Sequence, residues 1–199
     1  MSPFLSLPLQ LIQFDPDNPN IPGASLSARY LSDMAGYFAD EAAFYEMLAK
    51  DDPILYQVYN ISPTQGEGDL NYGIGVLMPG QVGAEYYLTK GHLHRWREAA
   101  EIYIGLSGEG FMLLEDEATR ESRLIPFLKN SIIYVPGHTA HRTINTGTKK
   151  LTYIGIYPAN AGHDYGFVKE RGFDHILVSI NGEPELSKRQ AFVDSLKET

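Results

Sequence analysis

Gly91-His92-Leu93-His94 is the stretch whose reading decides the fold, and Glu101 follows His94 by seven positions. Side chains on a β-strand alternate between faces, so His92 and His94 point the same way and their imidazoles converge. Glu101 opens Glu101-Ile102-Tyr103-Ile104-Gly105-Leu106-Ser107-Gly108, which alternates as a strand and closes on a glycine turn. Far downstream, His141 follows the apolar run Ile132-Ile133-Tyr134-Val135 and the turn Pro136-Gly137. A lone histidine in an apolar strand is usually a hydrogen-bonded structural residue, and a bare His-x-His pair says little more. It is Glu101 and His141 that turn the pair into a candidate centre. His92, His94, Glu101 and His141 together offer three nitrogens and one carboxylate oxygen. That set suits a divalent first-row ion, with positions left for water or substrate. His138, inside the Pro-Gly turn, is the rival to His141 as a ligand.

Working outward, the chain from Ile54 onward is a succession of short apolar runs. They are divided by Pro79-Gly80, Gly108-Glu109-Gly110, Lys129-Asn130, Pro136-Gly137, Asn145-Thr146-Gly147 and Asn181-Gly182. This spacing predicts an all-β sandwich or barrel. Leu70, Tyr72, Ile74, Val76 and Met78 alternate strictly, so one face of that strand is built for a core while Asn71, Gly73 and Gly75 occupy the other. Before the strands, Asp40 caps a short helix carrying Phe44, Met47 and Leu48, and Asp51-Asp52-Pro53 stops it. Glu46 and Lys50 are spaced on it as a surface pair. The first residues alternate weakly between Phe4 and Phe14 and read as an arm; beyond Asn181 the chain turns polar, and Leu186 to Thr199 read as a frayed helix or a disordered tail. The resulting organisation is an arm over 1–30, a barrel over 31–180 and a polar tail over 181–199.

Composition bounds the chemistry. A chain of 199 residues with 43% hydrophobic content suffices for one domain, which at this size buries about 70% of its unfolded surface. There is no cysteine, so disulfides and thiolate ligands are excluded and histidine and carboxylate remain as the strong metal donors. The formal net charge of −9 argues against nucleic acid or an anionic membrane as partner. No apolar run approaches the ~20 residues that span a bilayer, and no leader pattern is visible, so the expected compartment is the cytoplasm.

The residues ahead of the ligand strand, Thr89-Lys90-Gly91, present a hydroxyl, an ammonium and an unobstructed backbone N–H, which together suit a phosphate. The same composition is common at strand ends. Tyr103 lies two positions after Glu101 and shares its face.

His92-x-His94, Glu101, Gly108, Pro136, His141 and Asn145 resemble the two signature motifs of cupins, small β-barrels that hold a metal in their mouth. Asn130 stands where a cupin usually has glycine, and asparagine tolerates the left-handed backbone such a turn needs. More specifically, four groups of residues resemble the cupin-type glucose-6-phosphate isomerases of archaea and some bacteria. They are Leu31-Ser32-Asp33-Met34 with Gly36-Tyr37-Phe38; Glu67-Gly68-Asp69-Leu70-Asn71; Thr89-Lys90-Gly91-His92 with His94; and Tyr157-Pro158-Ala159 with Ala161-Gly162-His163-Asp164-Tyr165-Gly166. The likeness runs from about Arg29 to the region of Ile180, and the motifs come in the family's order.

That resemblance implies an all-β cupin fold (a double-stranded β-helix or jelly-roll barrel) with a short helix before the barrel. It implies interconversion of glucose 6-phosphate and fructose 6-phosphate by a homodimer holding one divalent metal per subunit, Fe2+ or Mn2+ first and Ni2+ or Zn2+ also compatible. The metal ligands would be His92, His94, Glu101 and His141. Glu101, Tyr103 and His163 are the candidate catalytic residues, His163 because its ordinary pKa lies near neutrality. Tyr56, Thr89, Gly91, Tyr157 and Tyr165 would hold the sugar or its phosphate. Where the archaeal relatives carry a hydroxyl residue near the phosphate, this chain has Gly75. His175 reads as structural. Two other readings stand beside this one: a cupin dioxygenase, since iron with the same donors activates oxygen, and a non-catalytic sugar-binding cupin. The residues alone also leave open whether hydrogen moves between C1 and C2 as a proton or as a hydride.

Overall fold

The computed structural model describes residues 11–198. Phe4 and the rest of the weak alternation before Leu11 lie outside the described residues. The strands in chain order are β1 (Ser25–Tyr30), β2 (Ile54–Ile61), β3 (Leu70–Leu77), β4 (Gln81–Val82), β5 (Glu85–Tyr86), β6 (Leu93–His94), β7 (Glu101–Ser107) and β8 (Glu109–Asp116). They continue with β9 (Ser122–Leu128), β10 (Ile132–Val135), β11 (Thr139–Asn145), β12 (Leu151–Pro158), β13 (His163–Asp164), β14 (His175–Ile180) and β15 (Glu183–Lys188). Helices α1 (Glu41–Leu48), α2 (Gly166–Arg171) and α3 (Arg189–Ser195) are short, and a 3-10 turn spans Leu31–Met34. Each of the six turn signals read from the sequence falls at a strand junction. None of the helices is long and apolar enough to cross a membrane, among the described residues.

The strands form the all-β cupin barrel expected. One sheet runs β1-β2-β3-β12-β7-β10, a second β11-β8-β9, a third β15-β14-β5-β4, and β13 pairs with β6. The chain between β5 and β6 is laced to β11 by Thr89 N–H to Thr143 O at 3.0 Å and His92 N–H to His141 O at 3.1 Å. That seam places His92 directly opposite His141. Asn145 anchors it, donating to the carbonyls of Leu77 at 2.9 Å and Lys149 at 2.8 Å. Asn130 adopts the left-handed φ of 68° that its turn demands.

Three apolar clusters hold these layers among the described residues, one of them small and built on Ala39, Ile176 and Val178. The largest includes Leu31, Met34, Phe38, Leu55, Leu77, Leu88, Leu93, Met112 and Phe127, all fully buried. Each such side chain contributes about 1.5–3 kcal/mol by leaving water. The alternating apolar face of β3 goes elsewhere: Ile74 and Val76 pack with Ile21 and Ile61 in a separate cluster, against which Ile12 and Phe14 of the N-terminal segment lie. Its Gly73 and Gly75 face is the one turned to the cavity. In α1, Asp40 accepts the Ala43 N–H at 2.9 Å as its cap, and the exposed Glu46–Lys50 pair closes at 2.7 Å.

The N-terminal arm pairs with the edge of the large sheet, and the C-terminal segment is more regular than a polar tail. The last six residues of the expected arm are β1, an edge strand paired with β2 from Ser25 to Tyr30. β15 pairs with β14 from His175↔Lys188 to Ile180↔Glu183, and of the frayed helix or disordered tail expected over Leu186 to Thr199 the structure has a helix, α3. Strand pairing is made by backbone groups, so the polar side chains of an edge such as β15 conceal it from composition.

Candidate functional site

His92 comes from the seam beside β11, His94 from β6, Glu101 from the first position of β7 and His141 from β11. Their ligand atoms all lie within 4.8 Å of one another. Glu101 Oε2 is 3.0 Å from His141 Nε2, 3.3 Å from His94 Nε2 and 3.8 Å from His92 Nε2. The far nitrogens are committed elsewhere: His94 Nδ1 lies 3.0 Å from Ala99 O and His141 Nδ1 lies 3.1 Å from Thr139 O. A carbonyl accepts only, so each Nδ1 carries the hydrogen and each Nε2 of a neutral ring presents a lone pair inward. Nε2 of His92 and of His94 is buried without a hydrogen-bond partner. Three ring nitrogens and a carboxylate gathered at one point form a group that could hold a metal ion. The donor set therefore fits a divalent ion.

Charge states follow from this crowding. Burial pushes the Glu101 carboxyl up, but the His141 and His94 rings beside it, with the electrostatic influence of His141 and His92, outweigh it and hold the group below the usual carboxylate range. Burial drives His92 well below the ordinary histidine value, reinforced by His141 and His163. Burial, with the Glu101 charge beside it, pushes the Tyr103 phenol well up. Burial lowers His163 as well, so its ring is neutral near pH 7.

Three of the four converging residues, His92, Glu101 and His141, form part of the wall of a cavity at the barrel mouth, with Tyr56, Thr89, Gly91, Tyr103, Tyr157, His163 and Tyr165 on the same wall. His163 stands 4.4 Å from His92 between ring centroids, stacks on Tyr165 at 5.7 Å and meets Tyr157 at 5.2 Å. It is carried there by β13, whose His163 is the register partner of His94. Arg97 holds that strand in place, donating to Asp164 at 2.7 Å, to Glu117 at 2.8 Å and to the His94 carbonyl.

Three residues are placed apart. His138 sits in its turn with its side chain exposed, 3.4 Å from Glu117, outside the converging group. His175 Nδ1 contacts Ser122 Oγ at 2.9 Å, a structural bond. Lys90, the ammonium expected beside a phosphate, lies over the Tyr37 ring at 5.4 Å rather than on the cavity wall.

Sequence reasoning missed Ser27 and Arg29 on β1, Asn60 on β2, Arg142 on β11, and Tyr153 and Gly155 on β12, all of which line the cavity. Arg29 supplies the positive charge that Lys90 does not. For Tyr153 and Gly155 the signal was available: both share parity with Tyr157 on one strand, so a period of two carries them to its face. Arg29 shares parity with Ser27 on a strand that alternates polar Ser25, Ser27 and Arg29 with apolar Leu26, Ala28 and Tyr30, so the same period of two carries both to the cavity.

A family model described as Glucose-6-phosphate isomerase (GPI) matches residues 28–193. The chain belongs to the glucose-6-phosphate isomerase family. That membership makes it an isomerase. Among relatives of the family, a glucose-6-phosphate isomerase of Pyrococcus abyssi is 49% identical over 163 residues, covering 82% of this chain and 86% of that one. One from Pyrococcus horikoshii is 46% identical over 172 residues, 86% of this chain and 90% of that one. A more distant bacterial one, from Sinorhizobium medicae, is 38% identical over 152 residues, covering 76% and 71%.

Proposed function

We propose that this cavity interconverts glucose 6-phosphate and fructose 6-phosphate, with one divalent ion held by His92, His94, Glu101 and His141. The observation that carries the reading is the convergence of three histidine nitrogens on the Glu101 carboxylate, at the wall of a cavity lined by phenols and two arginines. The family's name supplies the substrate pair. Imidazoles with one carboxylate suit Fe2+, Mn2+, Ni2+ or Zn2+ alike, and the family resemblance puts Fe2+ or Mn2+ first. When bound, such an ion supplies Lewis acidity to the adjacent C1 and C2 oxygens of the open-chain sugar.

The chain's own groups do the rest. Arg29, Thr89, the Gly91 N–H and Tyr56 receive the phosphate, offsetting the repulsion that an overall charge of −9 exerts on an anion. His163, neutral and next to the ligand cluster, takes and returns the hydroxyl proton on ring opening. Tyr103 keeps its proton and donates a hydrogen bond to the sugar. Tyr157 and Tyr165 flank His163 and close the wall around the chain of the sugar. We take the working unit to be a homodimer joined over the exposed Ile102, Ile132 and Tyr134 of β7 and β10; light scattering would then give twice the chain mass of 22.2 kDa.

A coupled isomerase assay tests the reading. Chelator-treated protein should lose turnover of glucose 6-phosphate, and Fe2+, Mn2+, Ni2+ or Zn2+ added separately should restore it, without oxygen or a nicotinamide cofactor. Oxygen uptake on a small organic acid with no hexose phosphate turnover would replace the isomerase by a dioxygenase. Sugar phosphate binding without turnover would leave only a binding module.

A further inference from the structure

Gly75 and Tyr153 are register partners across β3 and β12. A β-carbon at position 75 would stand 2.5 Å from Tyr153 Oη, so the phenol occupies the space in which a residue-75 side chain would sit. Glycine at 75 is the room that phenol needs. Tyr153 Oη lies 3.1 Å from Thr143 Oγ1, and Thr143 Oγ1 donates to Thr89 Oγ1 at 3.3 Å. Thr89 Oγ1 also accepts the Thr143 backbone N–H at 3.1 Å. A threonine hydroxyl has one hydrogen and two lone pairs. Thr143 spends its hydrogen on Thr89, so the phenol must be the donor to Thr143. With both lone pairs of Thr89 filled, its own hydrogen is free to donate into the cavity that Thr89 and Tyr153 both line.

We infer that Tyr153 is a positioning residue for the substrate's phosphate: its phenol heads a relay through Thr143 that turns the Thr89 hydroxyl proton into the cavity. This rests on the proposed reading that the cavity takes a sugar phosphate. A relay that delivers one donor fits a group that only accepts, which a phosphate dianion is. Thr143 and Tyr153 are both buried, and a chain of hydrogen bonds away from water polarises along its length. Burial pushes the Tyr153 phenol up to about 12, so it keeps the proton it donates.

The test uses the metal-loaded protein with Tyr153→Phe, Thr143→Val and Thr89→Val. Tyr153→Phe and Thr143→Val should each raise the KM for glucose 6-phosphate and the Ki of inorganic phosphate by about fivefold, with kcat held within about twofold. Thr89→Val should cost more, and Tyr153→Phe added to it should cost nothing further, since the two act through one bond. A purely structural phenol would instead lower the melting temperature and kcat, leave KM unchanged, and multiply with Thr89→Val. Thr143→Val keeps the question open to measurement if the phenylalanine variant folds poorly. If glucose 6-phosphate is turned over and both relay variants keep wild-type KM and Ki, the relay is overturned and the isomerase reading survives. If no hexose phosphate is turned over but calorimetry shows inorganic phosphate binding wild type about fivefold more tightly than Tyr153→Phe, the relay survives and the isomerase reading falls.

Discussion

Gly155 lies against Glu101: a β-carbon there would stand 2.8 Å from the carboxylate oxygen Oε1. Gly155 is also the register partner of both Tyr103 and Gly73, at the centre of the sheet that floors the cavity. The absent side chain at 155 thus lets the only carboxylate lining the cavity among the described residues rest where three histidines meet it. Gly155→Ala should displace Glu101 and weaken metal affinity by about 10–100-fold, the range seen when a ligand's support is disturbed. A metal titration reads it directly; unchanged affinity would mean that Glu101 has slack its surroundings do not show.

Arg97 ties two parts of the site together, through Asp164 at 2.7 Å and the His94 carbonyl. Its guanidinium holds the Asp164 carboxyl below the usual range. Arg97→Met keeps the stem and removes the fork, so β13 should lose its hold and His163 and Tyr165 their aim. Turnover efficiency should fall about 10–100-fold, as for a misplaced catalytic group, while one metal per chain is retained. Intact efficiency in that variant would show that β13 is positioned by its pairing with β6 alone.

Glu85 is fully buried, accepting the Ala39 N–H at 2.8 Å. Burial raises its carboxyl from 4.5 to about 7, more than the Ala39 hydrogen bond and the charges of Arg142 and Arg189 pull it back. The folded chain therefore binds this proton more tightly than the unfolded one. Its contribution is most favourable below pH 4.5 and is lost as pH rises through about 7. The loss is on the order of 3 kcal/mol across that window. Denaturant midpoints of wild type and Glu85→Gln should accordingly diverge between about pH 5 and about pH 8, wild type losing stability relative to the variant. Parallel pH profiles would contradict the assignment.

Much of this was legible in the sequence because strands announce themselves locally. His92, His94, Glu101 and Tyr103 are placed by alternation over a few residues, and the Pro-Gly and Asn-Gly signals cut the chain where the strands end. Alternation places Arg29 and Tyr153 on a face, but what that face meets depends on which strands become neighbours, and pairing across the chain leaves no local trace. The same holds for Arg189 in the stretch read as a frayed tail. Its guanidinium donates to the carbonyls of Tyr37 and Phe38, each at 3.1 Å, closing the C-terminal helix onto the chain before α1. Arg189→Ala should lower stability by about 1–3 kcal/mol by leaving those carbonyls unpaired, visible as a drop in melting temperature. No change would return that segment to the status of a loose end.

The account depends on a cation at the meeting point of His92, His94, Glu101 and His141. The most direct measurement follows metal content by mass spectrometry and glucose 6-phosphate turnover on the same samples, as Mn2+ is titrated into chelator-stripped wild type and into His141→Ala. The expected result is one equivalent per chain in wild type, with turnover rising in proportion to occupancy, and neither retained metal nor turnover in the variant. Full turnover in metal-free wild type would contradict it.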